Sequence, residues 1–302
     1  MSKTGSVQTI TPSQMKELGS AAQQSIPTDL PFVVADYWEH NKGEFIRRIG
    51  ELLMSAPVAI SGSSVLNKIV ADCQRALRRK FGRRCPAVDP LPANVTEEVV
   101  MRLAHYNMRL VFLPGVEIAE DLKLRNWVKP PVHFYQWMRD GKIAKDAATL
   151  RRGWYAADFT LGVDYTDGTQ MMPNDPWVPL IMRLRSEGKI GKHDKTPAGS
   201  RFSIIPRGEW ETLLTYMASF GELQFPRANV RLERYIEFNA IGNLHDPNRG
   251  EFNMWEWFAD QFEDSFRLFG GDRGSVGLAD VGYHWAGLRG RGIAARPLVS
   301  LV

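Results

Sequence analysis

Apolar side chains follow helical periodicity through the first third of the chain. In residues 36–54 and 63–81 they recur every three to four positions, and Gly82 ends the second segment. Thr96, followed by two acidic residues, is typical of a helix N-terminus. The pattern predicts four helices, over residues 11–24, 36–54, 63–81 and 96–106.

Shorter patterns with more aromatic and β-branched residues begin near Trp154. Residues 159–164 alternate like a strand, Asp167-Gly168 is a hairpin turn signal, and residues 169–172 are the predicted return strand. Helical spacing returns over 179–187 and 208–220. The remaining predicted features are a strand or sheet edge at 231–238, an aromatic-rich segment at 253–269 and a final strand at 297–302.

These elements predict an α+β fold. The change in pattern places a boundary in residues 140–153, between a mainly helical N-terminal region, 1–145, and a second domain, 146–302. A length of 302 residues is ample for two domains.

Composition is that of an ordinary globular protein with many large aromatics. Nine Trp and fifteen Phe favour aromatic-lined contacts. The net charge of +4 is only mildly basic, so nucleic acid is not an expected partner on charge alone. Residues 1–25 are polar, with neither a signal peptide nor a run of the ~18 apolar residues that cross a membrane. We therefore expect the protein to be synthesised in the cytoplasm. As part of an assembly, it would be carried on a virus particle or a cell surface.

Catalytic and metal-binding signatures are missing from the sequence. The six histidines have no HExxH or His-x-His spacing, and Cys73 and Cys85 are interpreted as unpaired or buried thiols. His245-Asp246 is a conceivable acid–base dyad, but its Asn-, Asp- and Pro-rich surroundings favour a capped surface turn. We predict no catalytic residue, no metal and no cofactor, and hence no enzyme.

A basic cluster ends the third predicted helix. Arg75, Arg78 and Arg79 share one helical face, and Lys80, Arg83 and Arg84 follow. Such a patch fits a phosphate backbone, a solvated helix face or an acidic partner subunit. The single Arg-Gly-Arg-Gly unit at 289–292 is a weak signal for nucleic acid.

The C-terminal segment is rich in glycine and in recognition-type side chains. Eight glycines fall between residues 270 and 292, among Tyr283, His284, Trp285 and several arginines. Backbone of this kind, held at both ends, favours a display surface over an active site.

The C-terminal half resembles the C-type-lectin-like domains shared by formylglycine-generating enzymes and by variable proteins of diversity-generating retroelements. Gly270-Gly271, Trp285 and the closing 292–297 segment carry this resemblance, with Ala-Ala-Arg in place of the family's Gly-Phe-Arg. It covers roughly residues 150–302 and implies short twisted strands with two helices. The oxidase chemistry of the enzymes would require cysteines near the C-terminus, and none follows Cys85. The resemblance therefore implies the ligand-binding function of the variable proteins.

Residue usage agrees with adenine-directed diversification, which the resemblance implies. Mutagenesis of AAC-type codons cannot create Met, Lys, Gln, Glu or Trp, and among residues 268–302 only Trp285 is of these types. Trp285 is therefore predicted to be structural and buried against the 255–269 segment. We also predict structural roles for Gly270, Gly271 and residues 297–301. The predicted ligand-binding residues are Asp272, Arg273, Ser275, Val276, Tyr283, His284, Leu288, Arg289 and Arg291.

Three classes of function stay open at this point. The first is a ligand-recognition protein of viral or prokaryotic origin, directed at a protein or a surface glycan. The second is a structural subunit of a virus particle or another assembly, which would form homo-oligomers. The third is a nucleic-acid-associated protein that uses the Arg75–Arg84 cluster.

Overall fold

Two four-stranded sheets carry the part of the chain that this computed structural model describes, residues 65–221 and 223–301. The first sheet has the order β1-β2-β8-β3 and is antiparallel throughout. The second has the order β6-β5-β4-β7, with β4 and β7 parallel and the other pairs antiparallel. The strands are β1 (Met108–Leu113), β2 (Gly153–Asp158), β3 (Val230–Leu232), β4 (Trp255–Phe262), β5 (Phe266–Gly270), β6 (Val281–Trp285), β7 (Ile293–Ala295) and β8 (Pro297–Leu301).

Helices accompany both sheets, so the predicted α+β class is confirmed. They are α1 (Val65–Phe81), α2 (Glu97–His105), α3 (Val132–Arg139), α4 (Val178–Ser186), α5 (Glu211–Met217) and α6 (Tyr235–Leu244). Short 3₁₀ or π turns lie at Gly82–Arg84, Pro206–Trp210, Arg227–Asn229, Arg273–Ser275 and Gly277–Ala279. None of the helices within these described ranges is long and apolar enough to cross a membrane.

Local capping chemistry explains why several helices appear where the sequence predicts them. The Thr96 side chain accepts a hydrogen bond from the Val99 N–H and so begins α2. Gly82, with φ of +58°, follows the last residue of α1. The helices predicted over 179–187 and 208–220 appear as α4 and as α5 with its preceding π turn. Those predicted over 11–24 and 36–54 lie outside the described residues.

The final strand is central to the first sheet, which confirms its prediction. β8 lies between β2 and β3, and Leu298 and Val299 are buried there opposite Ala157 and Ala156. β1, from the predicted N-terminal region, pairs along its whole length with β2, so one sheet contains strands from both sides of residue 145.

The hairpin predicted around Asp167-Gly168 is wrong in its strands. The turn exists, closed by a Thr169 N–H to Thr166 oxygen bond, but neither 159–164 nor 169–172 is a strand. The Asp158 carboxylate accepts the Thr160 N–H two residues on and ends β2 there.

The predicted strand over 231–238 is right only for its first two residues. β3 ends at Leu232, and α6 begins at Tyr235, whose N–H donates to the Asp260 carboxylate at 2.6 Å. A carboxylate from a distant strand therefore caps this helix.

Buried arginines connect the two sheets and the segments around them. Arg201 lies between Asp158 and Asp175, with all three side chains inaccessible to solvent or nearly so. Arg249 pairs with Glu233, while Arg296 pairs with Glu256 at 2.9 Å. Breaking a buried pair leaves an uncompensated charge, at a cost of about 3–5 kcal/mol. These contacts fix the scaffold behind the C-terminal segment.

Candidate functional site

The most exposed aromatic group in the C-terminal segment lies on an edge strand. β6 ends the order of the second sheet as the structure describes it, and Tyr283, His284 and Trp285 are all exposed on it. The exposed fraction is 44% for Tyr283 and 55% for Trp285. Because alternate strand residues share a face, Tyr283 and Trp285 lie on the same side of β6. We call these three residues the aromatic edge.

Neighbouring rings hold Tyr283 in place. Its ring stacks on that of Phe262, with centroids 3.7 Å apart and an interplanar angle of 3°. Trp137 and Phe266 meet it edge-on at 5.5 and 5.8 Å. Parallel and edge-on contacts of this kind each contribute about 0.5–1.5 kcal/mol beyond area burial. The exposed ring is therefore pre-oriented.

The prediction that Trp285 is buried is wrong. The interior positions of the 255–269 segment are filled by rings that pack on one another, such as Trp257 on Phe269. Trp285 lies at the end of the edge strand, where its ring covers Gly287. A Cβ at residue 287 would lie 2.5 Å from the indole, so glycine is needed beneath it.

A tight turn precedes the aromatic edge and exposes Arg273, Ser275 and Val276. Val276 is 70% exposed and has φ of +82°, a conformation that β-branched residues rarely adopt and that costs of order 1–3 kcal/mol. Asp272 is buried instead, and its backbone oxygen accepts the N–H groups of Ser275 and Gly277. Backbone bonds therefore hold the turn.

Asp280 ties this turn to the start of β6. Its carboxylate accepts the Asp272 N–H at 3.0 Å. Burial, helped by the Asp272 charge and opposed by the backbone bonds, raises the pKa of Asp280 to about 6. The turn thus contains a carboxyl group that titrates close to neutral pH.

The other three predicted residues contact a different part of the chain. Arg289 forms a two-pronged pair with Glu209, at 2.7 and 2.9 Å, and donates to the Ser203 oxygen. Burial opposes the charge on Glu209, yet hydrogen bonds from Arg289 and from two backbone N–H groups lower its pKa below the usual value. Arg291 bonds to His193, and Leu288 is half-buried against the main core.

The nine predicted residues therefore form no single surface. Arg273, Ser275, Val276, Tyr283 and His284 are exposed, Leu288, Arg289 and Arg291 are partly covered, and Asp272 is buried. Sequence reasoning missed Trp137 and Phe262, which support Tyr283 from remote parts of the chain. The aromatic density of 253–269 was a signal for Phe262, whereas none pointed to Trp137.

The basic cluster lies at the C-terminal end of α1. Arg78, Arg79, Arg83 and Arg84 are exposed, while Arg75 pairs with Asp72. The chain near residue 125 packs against this end of the helix, since the Arg125 N–H donates to the Lys80 oxygen at 3.0 Å.

The His245-Asp246 pair lies in a capped turn, as predicted, and Pro247 and Asn248 of this turn are exposed. Asp246 is buried, accepts the Asn248 N–H and lies 3.3 Å from Arg249. Burial, with the charges of Arg79 and Arg249, lowers the pKa of His245 to about 4. Within residues 65–221 and 223–301, no group of three or more His, Cys, Asp or Glu side chains is placed to hold a metal ion.

No protein-family model, curated protein or solved structure matches this chain significantly. The aromatic edge is accordingly interpreted from its own geometry. Two large exposed rings, one of them fixed by three others, form an aromatic surface at the edge of the second sheet.

Proposed function

We propose that this protein is a non-enzymatic ligand-recognition protein and that the aromatic edge, with the exposed turn at 273–276, is its binding surface. The observation that carries the proposal is the pair Tyr283 and Trp285, half exposed on one face of an edge strand. Exposed aromatic residues of this size are typical of interface hot spots.

Pre-orientation supports a binding role for these rings. Phe262, Trp137 and Phe266 already restrict the Tyr283 ring, so a ligand would not bear the cost of ordering it. Ordering a side chain at an interface costs about 0.5–1.5 kcal/mol. Buried ion pairs such as Arg296–Glu256 keep the scaffold fixed while the surface residues vary.

The ligand class that fits is a protein or a surface glycan. Tyr and Trp present a flat apolar face together with a polar hydrogen-bonding group, which suits both kinds of ligand. Arg273 adds an exposed cation near the turn, where it lies 3.3 Å from Asp164. A C-type-lectin-like domain from a diversified family would use its C-terminal segment in this way.

Selection against defined libraries tests the proposal. A random peptide library and an oligosaccharide array are screened with the wild-type protein and with the Tyr283→Ser/Trp285→Ser variant. Binders retained by the wild type and lost by the variant support the aromatic edge. If the two proteins retain the same binders, or neither retains any, the aromatic edge is not the binding surface.

Diversification has a separate test in the flanking DNA. A retroelement would place a near-repeat of the coding sequence for residues 268–297 close to a reverse transcriptase gene, with differences almost only at adenines. If the complete flanking sequence contains no such repeat, the protein is not diversified in this way. The proposal that the aromatic edge is a binding surface does not depend on that result.

A structural subunit remains the alternative, because exposed aromatic residues are also buried between subunits. Elution from a sizing column at micromolar concentration separates the two functions. A monomer or small oligomer agrees with ligand recognition, whereas an obligate large assembly would favour the subunit.

A further inference from the structure

A pocket lined by basic residues lies apart from the aromatic edge. A cavity of about 580 Å³ is lined by Arg79 and Lys80 from the end of α1, by Arg125 and Asn126, and by residues 242–247 at the end of α6. We call it the basic pocket. Its volume falls within the roughly 300–1,000 Å³ of small-molecule sites.

The cations of this pocket are not neutralised by the rest of the described chain. Neither Arg79 nor Arg125 has a side-chain hydrogen bond or a carboxylate partner in residues 65–221 and 223–301. Several other arginines are paired with carboxylates, as Arg152 is with Asp89. Asp246 also lines the pocket, but its carboxylate lies against Arg249. The pocket therefore carries a net positive charge.

Hydrogen bonds tie residues 125–126 to the C-terminal end of α1, so that the basic residues of both segments are neighbours. The Lys80 ammonium donates to the Asn126 oxygen at 2.7 Å, and the Arg125 N–H donates to the Lys80 oxygen at 3.0 Å. Burial, together with the adjacent Arg79, lowers the pKa of Lys80 below its usual value. Bringing like charges close together is unfavourable in an empty site, and a bound anion would relieve the repulsion.

His245 lines the same pocket, and one nitrogen of its ring lies buried beneath the pocket surface. His245 Nε2 is buried and has no hydrogen-bond partner in the described part of the chain. Buried polar atoms are satisfied in most native structures, so an orphan of this kind calls for a ligand group or water. Asn126, exposed beside Arg125, offers a further polar contact.

We infer that the basic pocket binds the phosphate group of a small phosphomonoester, such as a nucleoside monophosphate or a sugar phosphate. The guanidinium groups of Arg79 and Arg125 would pair with the phosphate oxygens, the geometry for which arginine is best suited. The Lys80 ammonium would supply a third positive charge. This site is separate from the proposed ligand-recognition surface and does not depend on it.

Isothermal titration of the full-length protein with three probes tests the inference. The probes are inorganic phosphate, AMP and glucose 6-phosphate, with adenosine and glucose as ligands that lack the phosphate. The Arg79→Gln/Arg125→Gln variant should bind AMP or glucose 6-phosphate at least about tenfold more weakly than the wild type, the loss expected for charge-assisted contacts. Arg125→Gln alone, at an exposed position, is the second variant should the double variant not fold.

Arg139→Gln/Arg183→Gln is the matched control. Both of its arginines are exposed and paired with glutamates, so the variant loses the same net charge away from the pocket. It should bind each probe within about twofold of the wild type. Equal losses in the two double variants, or no binding of any phosphate probe, would overturn the inference.

The three probes also separate the sources of the phosphate. Tighter binding of AMP than of glucose 6-phosphate would identify the ligand as a nucleotide, and tighter binding of glucose 6-phosphate would identify it as a sugar phosphate. If inorganic phosphate binds as tightly as both, the pocket recognises the phosphate group alone. An oligonucleotide with a 5′-hydroxyl end that binds as tightly as AMP would show that nucleic-acid backbone is bound along α1, and would overturn a pocket for phosphomonoesters.

Discussion

The rings of Tyr283 and Phe262 lie parallel, 3.7 Å apart, across the edge of the second sheet. Phe262 is buried and Tyr283 is half exposed, so the pair joins the core to the surface. A core residue therefore sets the orientation of a candidate ligand contact. Trp285, on the same face of β6, completes the exposed aromatic pair.

Replacing Trp285 should have little effect on folding. Because 55% of its surface is exposed, Trp285→Ala should lower the free energy of unfolding by less than about 1 kcal/mol. Trp257→Ala, at a fully buried position, should cost about 3–5 kcal/mol. Urea denaturation followed by far-UV circular dichroism measures both. A loss above about 2 kcal/mol for Trp285→Ala would mean that the indole supports the core.

Arg289 should matter more for stability than Arg273. Arg289→Ala removes both prongs of the pair with the partly buried Glu209, and should cost about 1–3 kcal/mol. Arg273→Ala breaks only an exposed pair with Asp164, so its effect should stay within about 0.5 kcal/mol. The same urea titrations decide the order, and equal costs would contradict it.

Local sequence signals were enough to predict the helices and strands whose ends are set by local interactions. The Thr96 cap, the Gly82 stop and the apolar 297–301 run predicted α2, α1 and β8. The failures come from long-range contacts. The strand predicted at 159–164 is lost because Asp158 turns the chain and pairs with Arg201, a residue 43 positions away.

The candidate binding site was also predicted only as far as local sequence signals reach. Glycine spacing with Tyr and His predicted a recognition segment, but the sequence does not state which strand lies at a sheet edge. That depends on the strand order, which leaves β6 with one described neighbour and exposes Trp285. The basic pocket was equally hidden, since Arg125 reaches α1 only through tertiary packing.

Asp280 should make stability depend on pH. Burial and the Asp272 charge raise its pKa from 3.8 to about 6, while His133 opposes the shift. The folded state then binds a proton more tightly than the unfolded chain, so the contribution of Asp280 to stability falls as pH rises between these two values. Asp280→Asn keeps an acceptor for the Asp272 N–H and cannot ionise.

The free energy of unfolding of Asp280→Asn, relative to wild type, should therefore increase from about pH 4 to about pH 7. Urea titrations of both proteins at several pH values in this range measure the difference. Parallel pH profiles would show that Asp280 has the same proton affinity in the folded and unfolded chains.

The two cysteines should differ in reactivity. Burial raises the pKa of the Cys73 thiol to about 11, so almost no thiolate is present near neutral pH. Cys85 is only half-buried, within 3.0 Å of the Gln74 amide. Ellman's reagent should modify Cys85 in the native protein and Cys73 only after unfolding. Native labelling that persists unchanged in Cys85→Ser would contradict this order.

The affinity of the aromatic edge for a selected ligand tests the central claim most directly. With a peptide or oligosaccharide obtained by selection on the wild type, the dissociation constant is measured for Tyr283→Ala/Trp285→Ala. The control is Leu161→Ala/Met182→Ala, which removes two exposed apolar side chains from outside the edge. The account predicts a loss of at least about tenfold for the first variant, as for hot-spot residues, and less than about twofold for the control. Equal affinity of the aromatic-edge variant and the wild type, with both proteins folded, would contradict it.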